Sequence, residues 1–170
     1  MKLGIDFGTT RIVVSAADRG NYPLVPFETA DAVFDWFPPL IAIHGDERRY
    51  GWDAYAMQAE PGWTMVRSLK RYLEDAGPQT QLDLGGMLVP LTELMQGLVG
   101  ALRHALQARF GESEILEVVL GVPANANSNQ RFLTVDAYTT VLLSTKYPQV
   151  VTPLPVETIF RSEPSAAFMM

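Results

Sequence analysis

Leu3-Gly4-Ile5-Asp6-Phe7-Gly8-Thr9-Thr10-Arg11-Ile12-Val13-Val14 is the stretch on which the fold of this chain turns. Leu3, Ile5 and Phe7 alternate with Gly4 and Asp6, which is the two-residue period of a strand. Gly8 interrupts the pattern, and Ile12, Val13, Val14 and Ala16 resume an extended apolar run. The spacing predicts strand, tight turn, strand, with a carboxylate just before the turn and two hydroxyls inside it. These residue types suit an anionic, metal-bearing ligand. Gly8 has no Cβ to keep a ligand away from the backbone. Successive turn N–H groups can form a concave nest for phosphate oxygens, and Asp6 offers the hard oxygen that hydrated Mg²⁺ prefers. A plain hairpin with an acid at its mouth fits the same pattern, and the sequence contains no Walker-type loop.

Outward from this hairpin, Leu24-Val25-Pro26 reads as a short strand, Glu28 to Asp35 as loop or short helix, and Leu40 to Ile43 as a buried strand. Gly45-Asp46-Glu47 turns the chain back. Trp52 to Ala59 has helical spacing, with Ala54, Tyr55 and Ala59 on one face, and Pro61-Gly62 ends it. Arg67 to Leu73 is a second short helical piece. Leu69, Tyr72 and Leu73 share a side, which leaves Lys70 off the core face as a solvated lysine.

Gln81 to Leu84 and Met87 to Val89 flank Gly85-Gly86 and predict a hairpin. The strongest helix follows. Leu94, Leu98, Leu102, Leu106 and Phe110 repeat at about one turn, backed by Leu91, Met95, Val99 and Ala105. Thr92 is the candidate cap and Gly111 the stop. His104 and His44 are isolated, so neither suggests a metal centre. Leu116 to Val122 reads as a buried strand. It leads through Asn125, Asn127 and Ser128 into a helix over Gln130 to Ala137 with an asparagine cap. Strand followed by helix suits an α/β fold. Tyr138 to Thr145 fits helix or strand, and the prolines at 148, 153 and 155 argue against a central strand there. Pro164 fits the first turn of a closing helix, which ends on Phe168, Met169 and Met170 as if cut short.

Composition narrows the function classes. With 170 residues the chain suffices for one domain or one lobe of a larger one. A net charge of −6, with no basic stripe, argues against nucleic acid. The absence of cysteine excludes a disulfide framework, a thiolate zinc site and thiol catalysis. No apolar run approaches bilayer length, and the first strand begins directly after Met1-Lys2, with no room for a signal peptide. The expected setting is cytoplasmic.

Four stretches together resemble the ATPase domain of the seventy-kilodalton heat-shock chaperones of the DnaK type. Gly4 to Thr10 is similar to that family's first phosphate motif, and Ser68-Leu69-Lys70-Arg71 to its lysine segment. Val122-Pro123-Ala124 with Gln130-Arg131 is similar to its Val-Pro-Ala…Gln-Arg stretch. Glu163-Pro164-Ser165-Ala166-Ala167 is similar to its Glu-Pro-Thr-Ala-Ala element. The resemblance implies the N-terminal lobe of an actin-like (ribonuclease H-like) α/β ATPase, a mixed sheet with flanking helices. It implies a phosphate-binding core over 1–26 and 116–170 and a peripheral subdomain over about 27–115.

Carried onto this sequence, the resemblance implies ATP or ADP with Mg²⁺ as cofactors. Asp6 would hold the metal, largely through water, and Gly8, Thr9, Thr10 and Arg11 would line the phosphates. Lys70 and Glu163 would be catalytic, Lys70 at the γ-phosphate and Glu163 on the metal and water side. Pro123 and Arg131 would relay nucleotide state. Such chemistry is mainly positioning and charge neutralisation. Hydrolysis by this lobe alone would be weak or absent, because the family's second phosphate loop, adenosine segment and second lobe are missing. Clients and co-chaperones would engage through those missing regions, and the exposed lobe face would suit a homo-oligomer. The sequence also departs from the family between Asp136 and Glu163, where it is longer and proline-rich, and at Ala124 to Asn127, which lack an aromatic pair. Two other readings fit the same residues: a non-catalytic interaction module that keeps half of the fold, and a sugar-kinase-like lobe.

Overall fold

A computed structural model of the 170-residue chain describes residues 1–111, 115, 117–121, 126–142 and 160–161. It is a mixed α/β structure with several small sheets. The opening hairpin forms as its alternation predicts: β1 (Lys2–Phe7) runs antiparallel to β2 (Ile12–Ala16), with Phe7 opposite Ile12. On its other side β1 pairs in parallel with β10 (Glu117–Gly121), in a register that sets Lys2 against Glu117 and Asp6 against Gly121. A 2.7 Å ion pair between Lys2 and Glu117 closes the amino end of this pair. A short β11 (Phe160–Arg161) continues the sheet beyond β10, giving the order β11-β10-β1-β2.

The segment between the two halves of that sheet builds three smaller sheets. The chain over Phe27 to Phe34 is not helical. It makes a minimal hairpin of β3 (Phe27–Glu28) and β4 (Val33–Phe34), and Leu24 contributes only a lone bridge to Ser15. Two-residue strands are too short to leave an alternation in the sequence. Next, β5 (Ile41–His44) lies between β6 (Glu47–Tyr50) and β7 (Thr64–Val66). Helix α1 (Trp52–Ala56) runs into a single 3₁₀ turn at Met57–Ala59. Of its expected inner face only Ala54 is buried; Tyr55 is 44% exposed. The Gly85-Gly86 hairpin forms between β8 (Gln81–Asp83) and β9 (Leu88–Pro90). Both glycines have positive φ, 75° and 94°, as a primed two-residue turn requires.

Helix α3 (Leu91–Phe110) buries Leu91, Leu94, Met95, Leu98, Val99, Leu102 and Leu106, the periodic stripe seen in the sequence. Pro90, not Thr92, is its N-terminal cap residue, and no side chain caps it. Proline fits because its fixed φ and missing N–H suit a helix start. Gly111, at φ 67°, ends it. Helix α4 (Ser128–Leu142) extends the predicted helix through Tyr138 to Leu142. Its N-terminus is capped by Asn127, whose Oδ1 accepts from Gln130 N–H at 2.8 Å. A bond of 2.7 Å from Arg103 on α3 to the Val141 carbonyl links the two helices. The buried residues of all these elements form a single cluster, from Leu3, Ile5 and Phe7 through Leu69, Leu98 and Leu102 to Tyr138 and Leu142. No helix among the described residues is long and apolar enough to cross a membrane.

Candidate functional site at the carboxyl end of the first strand

In open α/β sheets, ligands bind beyond the carboxyl ends of parallel strands. Here that edge is formed by Asp6 and Phe7 on β1 and Gly121 on β10. The four-residue turn from Gly8 to Arg11 begins at this point. Gly8 N–H donates to the Arg11 carbonyl at 2.9 Å. It is therefore not one of the donors facing outward from the turn, contrary to a nest that includes it. A Cβ on residue 8 would lie 2.5 Å from the Arg11 oxygen, so glycine is needed there for a tight closure. The amides of Thr9 and Thr10 make no hydrogen bond among the described residues, and the Thr10 side of the turn is exposed.

Arg11 points elsewhere. Its guanidinium lies over the Trp36 ring, 5.2 Å from the centroid. Backbone pairing of Ile12 with Phe37 brings Trp36 beside the turn. Trp36 belongs to an aromatic cluster with Phe34 (5.3 Å), Trp52 (5.0 Å) and Tyr55 (6.3 Å). A cation over an indole face is a favourable partner, so Arg11 is anchored at the rim of the turn.

Lys70 is not the solvated lysine that its helical period suggests. It sits on α2 (Leu69–Tyr72), and Leu69 and Leu73 are fully buried while Tyr72 is 47% exposed. Lys70 Nζ donates to the Phe7 carbonyl at 2.6 Å, across 63 positions of sequence, and lies 5.9 Å from the Phe7 ring centroid. Burial lowers its pKa from the ordinary lysine value, and the nearby Asp6 carboxylate works in the opposite direction. Ser68, just before the helix, is in the left-handed region at φ 56° and ψ 43°. This conformation is uncommon for a residue with a side chain and costs energy. It turns the chain into α2 two residues before Lys70.

Behind the site stands Tyr138 of α4, which was not apparent from the sequence. Its ring packs on Phe7 at 6.0 Å between centroids. The periodic signal was present, since Gln130, Thr134 and Tyr138 are spaced by four and all are buried. Arg131 turns back on its own helix start, its Nε donating to the Ala126 carbonyl at 3.0 Å. Asn127 also donates through Nδ2 to the Glu74 carbonyl, joining the start of α4 to the segment after α2. The structure thus brings together Asp6, the Gly8-to-Arg11 turn and Lys70. Pro123 and Glu163 lie outside the described residues.

Among the described residues there is no cluster of three or more metal-ligating side chains. The donor set is a single carboxylate, Asp6, with a lysine ammonium near it. That composition fits Mg²⁺, which keeps several waters and takes one or two carboxylates together with phosphate oxygens.

Two curated proteins are similar to the chain over most of its length. The chaperone protein HscA homolog of Chromobacterium violaceum is 28% identical over 156 residues, covering 81% of this chain and 24% of that protein. The chaperone protein HscA homolog of Methylibium petroleiphilum is 28% identical over 153 residues, covering 79% and 24%. This chain therefore spans about a quarter of the length of the curated relatives it matches. No protein-family model matches it.

Proposed function

We propose that this chain, a relative of the seventy-kilodalton heat-shock chaperones, forms one wall of a Mg-ATP site in an actin-like ATPase lobe. The observation that carries this reading is the Lys70 ammonium, held on the Phe7 carbonyl beside Asp6 by a helix 63 positions away. A half-buried cation, a carboxylate and two turn amides without a partner among the described residues, all at one sheet edge, are the parts that phosphoryl transfer uses. Asp6 would hold Mg²⁺ through water. The Thr9 and Thr10 amides and hydroxyls would take phosphate oxygens, and Arg11 would border them. When bound, Mg²⁺ neutralises charge on the β- and γ-phosphates.

In this reading Lys70 contributes positive charge to the γ-phosphate and orients the attacking water, with Glu163 on the metal and water side. Arg131, with Pro123, would pass nucleotide state to distant regions. The division into a phosphate-binding core over 1–26 and 116–170 and a peripheral part over 27–115 belongs to the same reading. So do a cytoplasmic setting, coupling to protein folding and engagement of clients or co-chaperones.

Calorimetry with Mg-ATP tests it, on this chain and on the chain joined to the second lobe of an HscA relative. Weak binding by the chain alone, strengthened by the second lobe and lost in Asp6→Asn and Lys70→Ala, is the expected result. No binding in either form would overturn the assignment and leave a non-catalytic interaction module.

A further inference from the structure

Arg11 combines a fixed backbone with a side chain held by one weak contact. Its carbonyl closes the turn by accepting from Gly8 N–H at 2.9 Å, and the next residue, Ile12, is bonded to Phe37 in both directions at 2.8 and 2.7 Å. The side chain is exposed. No carboxylate among the described residues pairs with it. The contact it does make is with the Trp36 ring, 5.2 Å from guanidinium carbon to centroid. That ring is held from its other sides by Phe34 and Trp52, at 5.3 and 5.0 Å, and it is half-buried. The ring is therefore a fixed platform, and the guanidinium on its long stem is the part that can move.

The strengths of the two possible contacts decide where the guanidinium goes. At an exposed site, a cation over an indole face shifts an equilibrium by only about 2–5-fold. A guanidinium matches a phosphate with its planar fork of donors, and a charge-assisted bond of that kind typically shifts an equilibrium by about tenfold or more. A phosphate on the Thr9 and Thr10 amides lies in the same four-residue turn as Arg11 and outbids the ring.

We propose that Arg11 and Trp36 form a ligand-operated latch. The guanidinium rests on the indole while the turn is empty and swings onto the phosphate oxygens when a nucleotide diphosphate occupies it. Trp36 thereby sets the affinity of the site without touching the ligand. The inference rests on the Mg-nucleotide reading, and the experiment separates the two.

The test is an NMR titration with Mg-ADP on the wild type, Arg11→Met, Trp36→Leu and the double variant. Binding is read from the Thr9 and Thr10 amides and the latch from the Arg11 δ-methylene protons, which the indole ring current shifts upfield. In the wild type these protons should return to their ordinary position as the amides saturate. Arg11→Met should weaken binding about tenfold. Trp36→Leu, which keeps the apolar packing and removes the competing ring face, should tighten it about 2–5-fold. In the Arg11→Met background Trp36→Leu should change nothing.

Wild-type methylene protons that stay upfield at saturation would overturn the latch alone and leave Arg11 a fixed anchor; this readout holds even if Trp36→Leu does not fold. Unchanged affinity in Arg11→Met would overturn it too. So would an effect of Trp36→Leu that persists without Arg11, because the ring would then act through the fold. Wild-type Thr9 and Thr10 amides that do not respond to Mg-ADP would overturn the nucleotide reading, and the latch with it.

Discussion

Lys70 couples the stability of this chain to pH in a direction opposite to that of a paired surface lysine. Its folded pKa is lowered, first by burial, with Asp6 offsetting part of the shift. The folded chain therefore gives up this proton at a lower pH than the unfolded chain does. Below the folded pKa the cost of burying the ammonium is fully present. Between the folded pKa and the ordinary value of 10.5 the unfolded state binds more protons, so stability rises with pH. Lys2 behaves the other way, because its pKa is raised by its bond and attraction to Glu117. Comparing the wild type with Lys70→Met cancels that background. Urea unfolding from neutral pH to about 10.5 should show the wild type gaining stability relative to the methionine variant as pH rises. A wild type that stays constant or loses stability relative to Lys70→Met over that range would mean that the bond to Phe7 outweighs burial. In the sequence, Lys70 falls on the polar side of a short amphipathic piece. Its contact with the first strand is a tertiary one, directed by the left-handed Ser68, and no local periodicity encodes it.

Helix α3 shows how packing reverses a rule of local propensity. Glycine inside a helix costs about 1 kcal/mol relative to alanine, so both Gly97 and Gly100 look like sites for improvement. A Cβ on Gly100 meets nothing within 4 Å, whereas one on Gly97 would lie 2.3 Å from the Tyr50 ring of β6. Gly100→Ala should stabilise the chain by roughly 0.5–1 kcal/mol. Gly97→Ala should destabilise it by about 1–3 kcal/mol, because the ring or the helix must move. Denaturant midpoints of the two variants should fall on opposite sides of the wild type; a shift of both in the same direction would show that the Tyr50 contact is soft. Elements of this kind are also what the sequence reveals best. The α3 stripe, the Gly85-Gly86 hairpin, the opening hairpin and the Asn127 cap all rest on short-range patterns. The strands β3, β4 and β7 left no such trace, since each has two or three residues and forms only because a neighbour presents its edge. Likewise, Tyr55 and Tyr72 were placed inward by spacing and stand outward because the core was already filled by Ala54, Leu69 and Leu73.

At the scale of the whole chain, the same structure bears on whether the proposed division at residues 27–115 is also a division in stability. The strand pair that presents Asp6 joins residues 2–6 to 117–121, so this sheet edge exists only when the intervening segment closes. That segment does not stand apart. The buried cluster is continuous across both portions, and α3, inside the peripheral part, is tied to α4 in the other by Arg103 and Val141. Asn127 and Glu74 make a second tie close to Lys70. All three tryptophans, Trp36, Trp52 and Trp63, lie in the peripheral part, and Trp52 and Trp63 lie away from the Arg11 contact made by Trp36, so their fluorescence follows mainly that part. Hydrogen exchange of the β1 and β10 amides follows the other. We expect both probes to give one unfolding free energy, and Leu102→Ala, at a fully buried position of α3, to lower both equally by about 2–5 kcal/mol. If the tryptophans melted first while the β1–β10 amides stayed protected, the peripheral part would be a separate unit, and Lys70 would reach Phe7 only while that unit is folded.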